Sequence, residues 1–259
     1  MAESASTKLL RGHVALVTGG TGGIGAATCR LLAGLGCSVA IHFNKDDDTA
    51  HRLDTELSNN YGGGAVSRFC TVQADMGDYD SVRKLHESVV ESIGHPTILI
   101  NNAGSTGGQS GVKSIEDVSI ETFERTWRIN CGSAYLLTQL CMPEMEKQGW
   151  GRVVFVSSVA GITGGIIGPH YASSKSALHG MVHWIANTYA KKGITVNGIA
   201  PALIQDTKML PGSNEELSKK IPIGRLGTPD EIADTILWMV KTGYVTNKVI
   251  AVDGGMFPQ

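Results

Sequence analysis

Short apolar runs alternate with longer stretches of helical spacing along nearly the whole chain, and the alternation predicts the architecture. The runs at 13–17, 38–43, 67–74, 97–100, 152–156, 193–199 and 249–253 are rich in Val, Ile and Ala and read as buried strands. Helical patterns follow at 26–35, from the Asp46 region to Tyr61, at 81–93, at 121–146, from Ser176 to Tyr189 and at 229–241. A polar segment, 205–220, is broken by Pro211 and Gly212 and carries a short helical piece at 215–219. Lying between a strand end and the next helix, 203–220 is the natural lid of a site. No linker or repeat interrupts the order. The expectation is a single α/β domain over 1–259, one doubly wound parallel sheet with helices on both faces.

The turn after the first strand carries the first chemistry. Thr18-Gly19-Gly20-Thr21-Gly22-Gly23-Ile24-Gly25 stands between a strand and a helix. It satisfies G-x-G-x-x-G through Gly20, Gly22 and Gly25, and T-G-x-x-x-G-x-G through Thr18, Gly19, Gly23 and Gly25. A backbone bare of side chains admits a pyrophosphate, and a helix N-terminus attracts it, so the turn predicts dinucleotide binding. Cofactor choice falls where the second strand ends, because an acid there bonds a ribose 2′-OH and repels a 2′-phosphate. Phe43 takes that end, followed by Asn44 and Lys45, which favours NADP(H). Asp46, Asp47 and Asp48 come next and pull towards NAD, although their simpler role is to cap and charge the following helix.

A second constellation follows the strand at 152–156. Ser157 and Ser158 sit where it ends, and Tyr171 and Lys175 open the next helix. Positions four apart share a helix face, so the phenol and the ammonium can approach. A lysine cation beside a tyrosine favours the phenolate, which would lower its pKa from ~10 towards working pH. A serine hydroxyl would then hold a substrate oxygen. Asn130, amid Trp127, Ile129, Leu136 and Leu137, is either a satisfied core amide or a site residue. The Gly/Ser-rich loop from Ser105 to Lys113 is expected to be mobile.

Composition narrows the classes. The chain has 42% apolar and 18% charged residues and a net charge of −2, which gives no electrostatic case for nucleic acid or an anionic membrane. Its 33 glycines point to many tight turns. The five cysteines, Cys29, Cys37, Cys70, Cys131 and Cys141, include no CxxC pair. That argues against a disulfide framework or a metal site and for a reducing, cytoplasmic setting, with the mitochondrial matrix as the alternative. No run reaches membrane-spanning length, and Met1 to Lys8 lacks the apolar core of a secretory signal.

Taken together, Thr18-Gly19…Gly23-Ile24-Gly25, Asp75, Asn101-Asn102-Ala103-Gly104, Asn130, Ser158, Tyr171…Lys175 and Pro201 resemble the short-chain dehydrogenase/reductase family over nearly the whole chain. The phrases at 221–227 and Val252-Asp253-Gly254-Gly255 look most like its 3-oxoacyl-[acyl-carrier-protein] reductase branch. The resemblance implies a Rossmann fold and a catalytic set of Asn130, Ser158, Tyr171 and Lys175. Ser158 is preferred over Ser157 because it stands thirteen residues before Tyr171. Tyr171 would protonate the carbonyl, Lys175 would hold the nicotinamide ribose, and Asn130 would open its helix for a proton-relay water. The implied cofactor contacts are Gly19, Thr21, Gly22, Gly23, Ile24, Gly25, Asn44, Lys45, Asp75, Met76, Asn102, Ala103, Gly104, Tyr171, Lys175, Pro201, Ile204 and Thr207. Asp75 and Met76 would face the adenine. Three departures stand out: Ala202 replaces a usual glycine, Asp206 occupies the usual place of Thr207, and Gly22 replaces a base common in NADP-using members.

The expected activity is hydride transfer between NADP(H) and a ketone or secondary alcohol, most simply reduction of a 3-oxoacyl or other apolar ketone. NAD-dependent alcohol oxidation, a non-catalytic dinucleotide-binding subunit and a subunit that builds an oligomer around an active partner are the competing readings. Ile162, Ile166, Ile167 and His170 would line the substrate pocket; no basic cluster clearly marks a docking site for an acidic carrier protein, Arg125, Arg128 and Lys208 being the candidates for one. Apolar positions Leu140, Met142, Met181, Trp184 and Ile185 on two helices, which form the main dimer interface in the family, suggest a homotetramer or a dimer.

Overall fold

A computed structural model describes residues 10–62, 68–210 and 215–257. Met1 to Lys8, Ser67 at the predicted opening of the third strand, and Pro211 and Gly212 in the predicted lid lie outside the described residues. The elements alternate as β1 (Val14–Val17), α1 (Gly23–Gly34), β2 (Ser38–Phe43), α2 (Asp47–Tyr61), β3 (Phe69–Gln73), α3 (Tyr79–Ile93) and β4 (Ile98–Asn101). There follow α4 (Ile120–Trp127), α5 (Ser133–Gln148), β5 (Gly151–Val156), α6 (Ala160–Thr163) and α7 (Pro169–Tyr189). The chain continues with β6 (Ile194–Pro201), α8 (Glu215–Ser218), α9 (Pro229–Lys241) and β7 (Val249–Val252). The strands pair in parallel in the order β3-β2-β1-β4-β5-β6-β7.

Strands covered on both faces need apolar residues at successive positions, which is why the runs read as continuous rather than alternating. Leu16, Ala40, Leu99 and Val153 pack with Leu85, Leu137 and Leu178 of α3, α5 and α7 on one face. Ala15, Val17, Val39, Ile41 and Val154 pack with Leu32, Leu57 and Ile236 of α1, α2 and α9 on the other. Each such side chain, fully buried, contributes roughly 1.5–3 kcal/mol. The connections run opposite ways from β1 and β4, and this switch point opens a crevice at the carboxyl ends of the strands.

Two predictions about elements change. The helix foreseen over 121–146 is three pieces, with a π-turn, Arg128–Gly132, between α4 and α5. The π-turn packs against Tyr79 of α3: a side chain at Gly132 would run into the Tyr79 hydroxyl, and Arg128 lies over its ring. Asn130 projects from it. The Gly/Ser-rich loop is fastened rather than loose. Gly111 and Val112 donate to the carbonyls of Ile166 and Ile167, and His170 bonds the Thr106 carbonyl at 2.7 Å. All five cysteines are free thiols. No helix among the described residues is long and apolar enough to cross a membrane.

Candidate active site

Buried hydrogen bonds fix the floor of the crevice. The Thr18 hydroxyl donates to the Ile100 carbonyl and accepts from the backbone N–H groups of Asn102 and Ala103, at 2.9 Å each, which clamps β1 to β4. The Asn102 amide donates to the carbonyls of Thr18 and Gly19, so its side chain shapes the glycine turn. Beneath the turn lies His42, 2% exposed. Its Nδ1 accepts from the Gly19 N–H at 2.9 Å and its Nε2 faces the Ala74 carbonyl at 3.1 Å. Burial pushes the imidazole down to about 4, so it is neutral and can do both.

The turn fits a pyrophosphate. Gly22 begins α1 with no side-chain cap, and no acid stands in the first turn. The first N–H groups of a helix have no partner within it, so here they face the crevice for an anion. A Cβ at Gly22 would meet only the Gly19 carbonyl, at 3.4 Å, whereas one at Gly25 would run into that same carbonyl from inside the turn. Glycine at 25 is therefore a packing requirement, and glycine at 22 leaves open space for a ligand.

At the end of β2, Phe43 is buried and the exposed positions begin with Asn44 and Lys45. Phe43 points into the core and cannot meet a cofactor, so Asn44 is the first side chain past the strand that can. Asp46 stands at the start of α2, as its simpler role required, and it also pairs with Lys208 at 3.0 Å. The Asp75 carboxylate accepts from the Gly77 N–H and from Arg125, whose Nη2 lies 2.9 Å away. Arg125 first, with Lys45 a smaller contributor, holds the Asp75 carboxyl below the ordinary carboxylate range. The Met76 side chain is buried in the core, which leaves its backbone for any adenine contact. The three proposed docking cations are all engaged, Arg125 with Asp75, Arg128 over Tyr79 and Lys208 with Asp46.

Ser157 and Ser158 diverge because they follow a strand end. The Ser157 hydroxyl donates to the Lys175 carbonyl at 2.9 Å and meets His179 Nε2 at 2.8 Å, deep under α7. Ser158 is half-buried, and its hydroxyl accepts from the Ala160 N–H at 3.1 Å on the side of the site that holds the Tyr171 phenol. Asn130 Oδ1 accepts from the Ser105 N–H at 2.7 Å, while its amide donates to the Ser105 carbonyl and the Ser174 hydroxyl, both at 2.9 Å. It is a fully bonded amide that ties the loop after β4 to α7. At Gly104 a Cβ would come within 3.1 Å of Lys175 Nζ and 3.5 Å of Asn130 Oδ1, so these groups share one corner of the crevice.

The expected lowering of the tyrosine pKa does not appear in this arrangement. Burial raises the Tyr171 phenol, with the nearby Ser158 hydroxyl pulling the other way. Lys175 Nζ lies 5.8 Å from the Tyr171 ring centre and donates to the Val156 carbonyl at 2.8 Å. Burial brings the Lys175 ammonium itself down to about 8. Desolvation outweighs the four-residue spacing that sequence alone could see.

The roof is residues 202–210. Val159 donates to the carbonyl of Pro201, at the end of β6, and Ile204 bridges to Gly227. The Thr207 hydroxyl is spent within its own turn, on the Ile204 carbonyl and the Leu210 N–H at 3.1 Å each. Met209 Sδ lies 4.0 Å from the Tyr171 hydroxyl. His170, fully buried, does not line the pocket; it holds the Thr106 carbonyl from behind, while Ile162 and Ile166 are exposed beside it. Sequence reading missed His42, which looked like one more strand residue, and the pairing of Lys208 with Asp46, which no local pattern announces.

A doubly wound sheet with a glycine turn at its switch point, and Ser, Tyr and Lys converging at the next strand end, defines a nicotinamide-dinucleotide oxidoreductase. The model of the short chain dehydrogenase family matches residues 13–218, and the chain belongs to that family. It is 34% identical over 254 residues to the 3-oxoacyl-[acyl-carrier-protein] reductase FabG of Aquifex aeolicus, covering 96% of this chain and 98% of the relative. It is 33% identical over 258 residues to the L-rhamnose 1-dehydrogenase (NADP(+)) of Thermoplasma acidophilum, covering 95% and 96%. Among solved structures, a blue fluorescent protein from a metagenomic library in complex with NADPH superposes with a TM-score of 0.87 at 32% identity, covering 97% of this chain and all of that one. The expected family, and its likeness to the 3-oxoacyl reductase branch, are thereby shown.

Proposed function

We propose that the protein is an NADP(H)-dependent ketoreductase that acts on a 3-oxoacyl or similarly apolar ketone. A bound nicotinamide would supply the hydride. Tyr171 gives its phenolic proton to the carbonyl oxygen, and Ser158 holds that oxygen by its hydroxyl. The phenol is protonated at neutral pH, the form from which reduction of a carbonyl starts. Lys175, fixed by the Val156 carbonyl, stands ready to hold the nicotinamide ribose, and Asn130 keeps the β4 loop against α7. Thr21, Gly22, Gly23 and Ile24 would cradle the pyrophosphate, with Ala103 and Gly104 beneath the nicotinamide half. The observation that carries the reading is the convergence of Ser158 with buried Tyr171 and Lys175, the ammonium 5.8 Å from the phenol ring, at the mouth of a crevice with an uncapped glycine turn.

The preference for NADP(H) rests on Asn44 and Lys45, with no acid at the first exposed position past β2. The test is kcat/KM for NADPH and NADH against a panel of ketones, in the parent and in Asn44→Asp. The parent is expected to favour NADPH by roughly ten- to a hundredfold and the variant to shift towards NADH. A parent that favours NADH overturns the cofactor assignment. Oxidation of a secondary alcohol is the second reading, supported by a relative named a sugar dehydrogenase; the same assay run with alcohols and NADP+ separates them. The assembly we infer is a homotetramer within a single domain. Met142 and Ile185 turn inward, but Tyr135 and Trp184 stand 53% and 66% exposed on α5 and α7. Light scattering that finds a stable monomer at micromolar concentration would refute the tetramer.

A further inference from the structure

An acid just past the second strand works against a phosphorylated ribose. Asp46 is such an acid, three residues beyond Phe43. Its carboxylate does not face the crevice alone, since Lys208 Nζ stands 3.0 Å from Oδ2. Lys208 belongs to the roof, and the fold delivers it there by a defined turn. Asp206 takes a left-handed φ of 55°, and its carbonyl lies where a Cβ at Gly23 would be, 2.5 Å from that position. The Thr207 hydroxyl closes the turn onto Leu210. The same end of the crevice holds Lys45, near enough to Asp75 to lower its carboxyl, while Arg125 is already spent on Asp75. Asp75 and Asp46 are therefore each countered, one from the floor and one from the roof.

We propose that Lys208 is a cofactor-specificity residue: carried across the crevice by the roof, it neutralises Asp46 and joins Lys45 in meeting a 2′-phosphate. This deepens the NADP(H) reading and rests on it. An ammonium has three donors, so it can keep Asp46 and take a phosphate oxygen as well. Roof closure and cofactor choice are then one event, because the cation that admits the phosphate arrives with the roof.

The test is calorimetric binding of NADP+ and NAD+ to the full chain and to Lys208→Ala, Lys208→Arg and Asp46→Asn. Lys208→Ala is expected to cut the NADP+ to NAD+ affinity ratio by roughly three- to tenfold with NAD+ binding unchanged. Lys208→Arg should retain the ratio, and Asp46→Asn should raise it by a similar factor. Equal weakening of both dinucleotides by Lys208→Ala would reduce Lys208 to a roof fastener and overturn the proposal, as would an unchanged ratio. A parent with no preference for NADP+ overturns the NADP(H) reading itself, and this inference with it. A parent that prefers NADP+ and keeps that preference in Lys208→Ala overturns the inference alone.

Discussion

The floor of the crevice, from the glycine turn to Lys175, is held by bonds between buried groups. The tip of its roof, residues 206–210, is held by an exposed ion pair, a sulfur contact and a turn that closes on itself, while residues 202–205 are tied by backbone bonds to Val252 and Gly227. On the floor, Thr18, His42, Asn102, Asn130 and Ser157 each make two or more hydrogen bonds that link separate elements. Breaking one there leaves a buried polar group unsatisfied, which costs about 1–3 kcal/mol. On the roof, Lys208 is 66% exposed and Met209 49%, and an exposed pair of this kind contributes at most about 1 kcal/mol. A site that must hold reacting groups still and yet admit a dinucleotide divides these duties between its two sides.

The largest effect should come from the chemistry on the floor. Tyr171→Phe removes one hydroxyl from a buried ring, so the fold and dinucleotide binding should survive while turnover falls by roughly 10²–10⁴ or more. A variant with near-normal turnover would remove Tyr171 from its role.

Acid should then find the floor before the roof. His42 has its folded pKa lowered to about 4 from an ordinary 6.5, so between those values the unfolded chain binds the extra proton. Stability therefore falls as the pH drops through that window, by about 3 kcal/mol in all from this group. Thermal melts of the parent and His42→Gln across the window should show a shallower slope in the variant. Parallel slopes would mean that His42 is not the titrating group.

Two glycines contrast the sides directly. A Cβ at Gly25 strikes the Gly19 carbonyl within the floor, while one at Gly23 strikes the Asp206 carbonyl of the roof, 2.5 Å away. Gly25→Ala should cost about 1–3 kcal/mol and weaken dinucleotide binding, because the turn cannot yield. Gly23→Ala should cost less, since the Asp206 carbonyl can lift with the roof and only the Pro229 ring, 3.0 Å away, must give way. Equal losses of stability would end the distinction between the two sides. Smallest of all, Lys208→Ala should change the unfolding free energy by less than about 1 kcal/mol, as measured by urea denaturation.

The order of elements and the glycine turn were legible in the sequence because each is a local pattern, carried by strand runs, glycines and helix spacing, whereas the set Ser158, Tyr171 and Lys175 came from the family resemblance. The segment 229–241 reads as a helix and is one with the same bounds, because Thr228 and Glu231 form a capping box beside Pro229. Only tertiary structure decided the rest. Phe43 ends its strand as expected but turns into the core, which leaves Asn44 as the first side chain past the strand able to meet a cofactor. Asn130 sits in a π-turn whose Gly132 packs against Tyr79 of a distant helix. The Tyr171 phenol is raised because burial outweighs a lysine four residues on, and Asp46 is neutralised by a cation 162 positions away in the chain. Sequence patterns report neighbours along the chain; desolvation and long-range charge pairing depend on neighbours in space, and those exist only once the chain has folded.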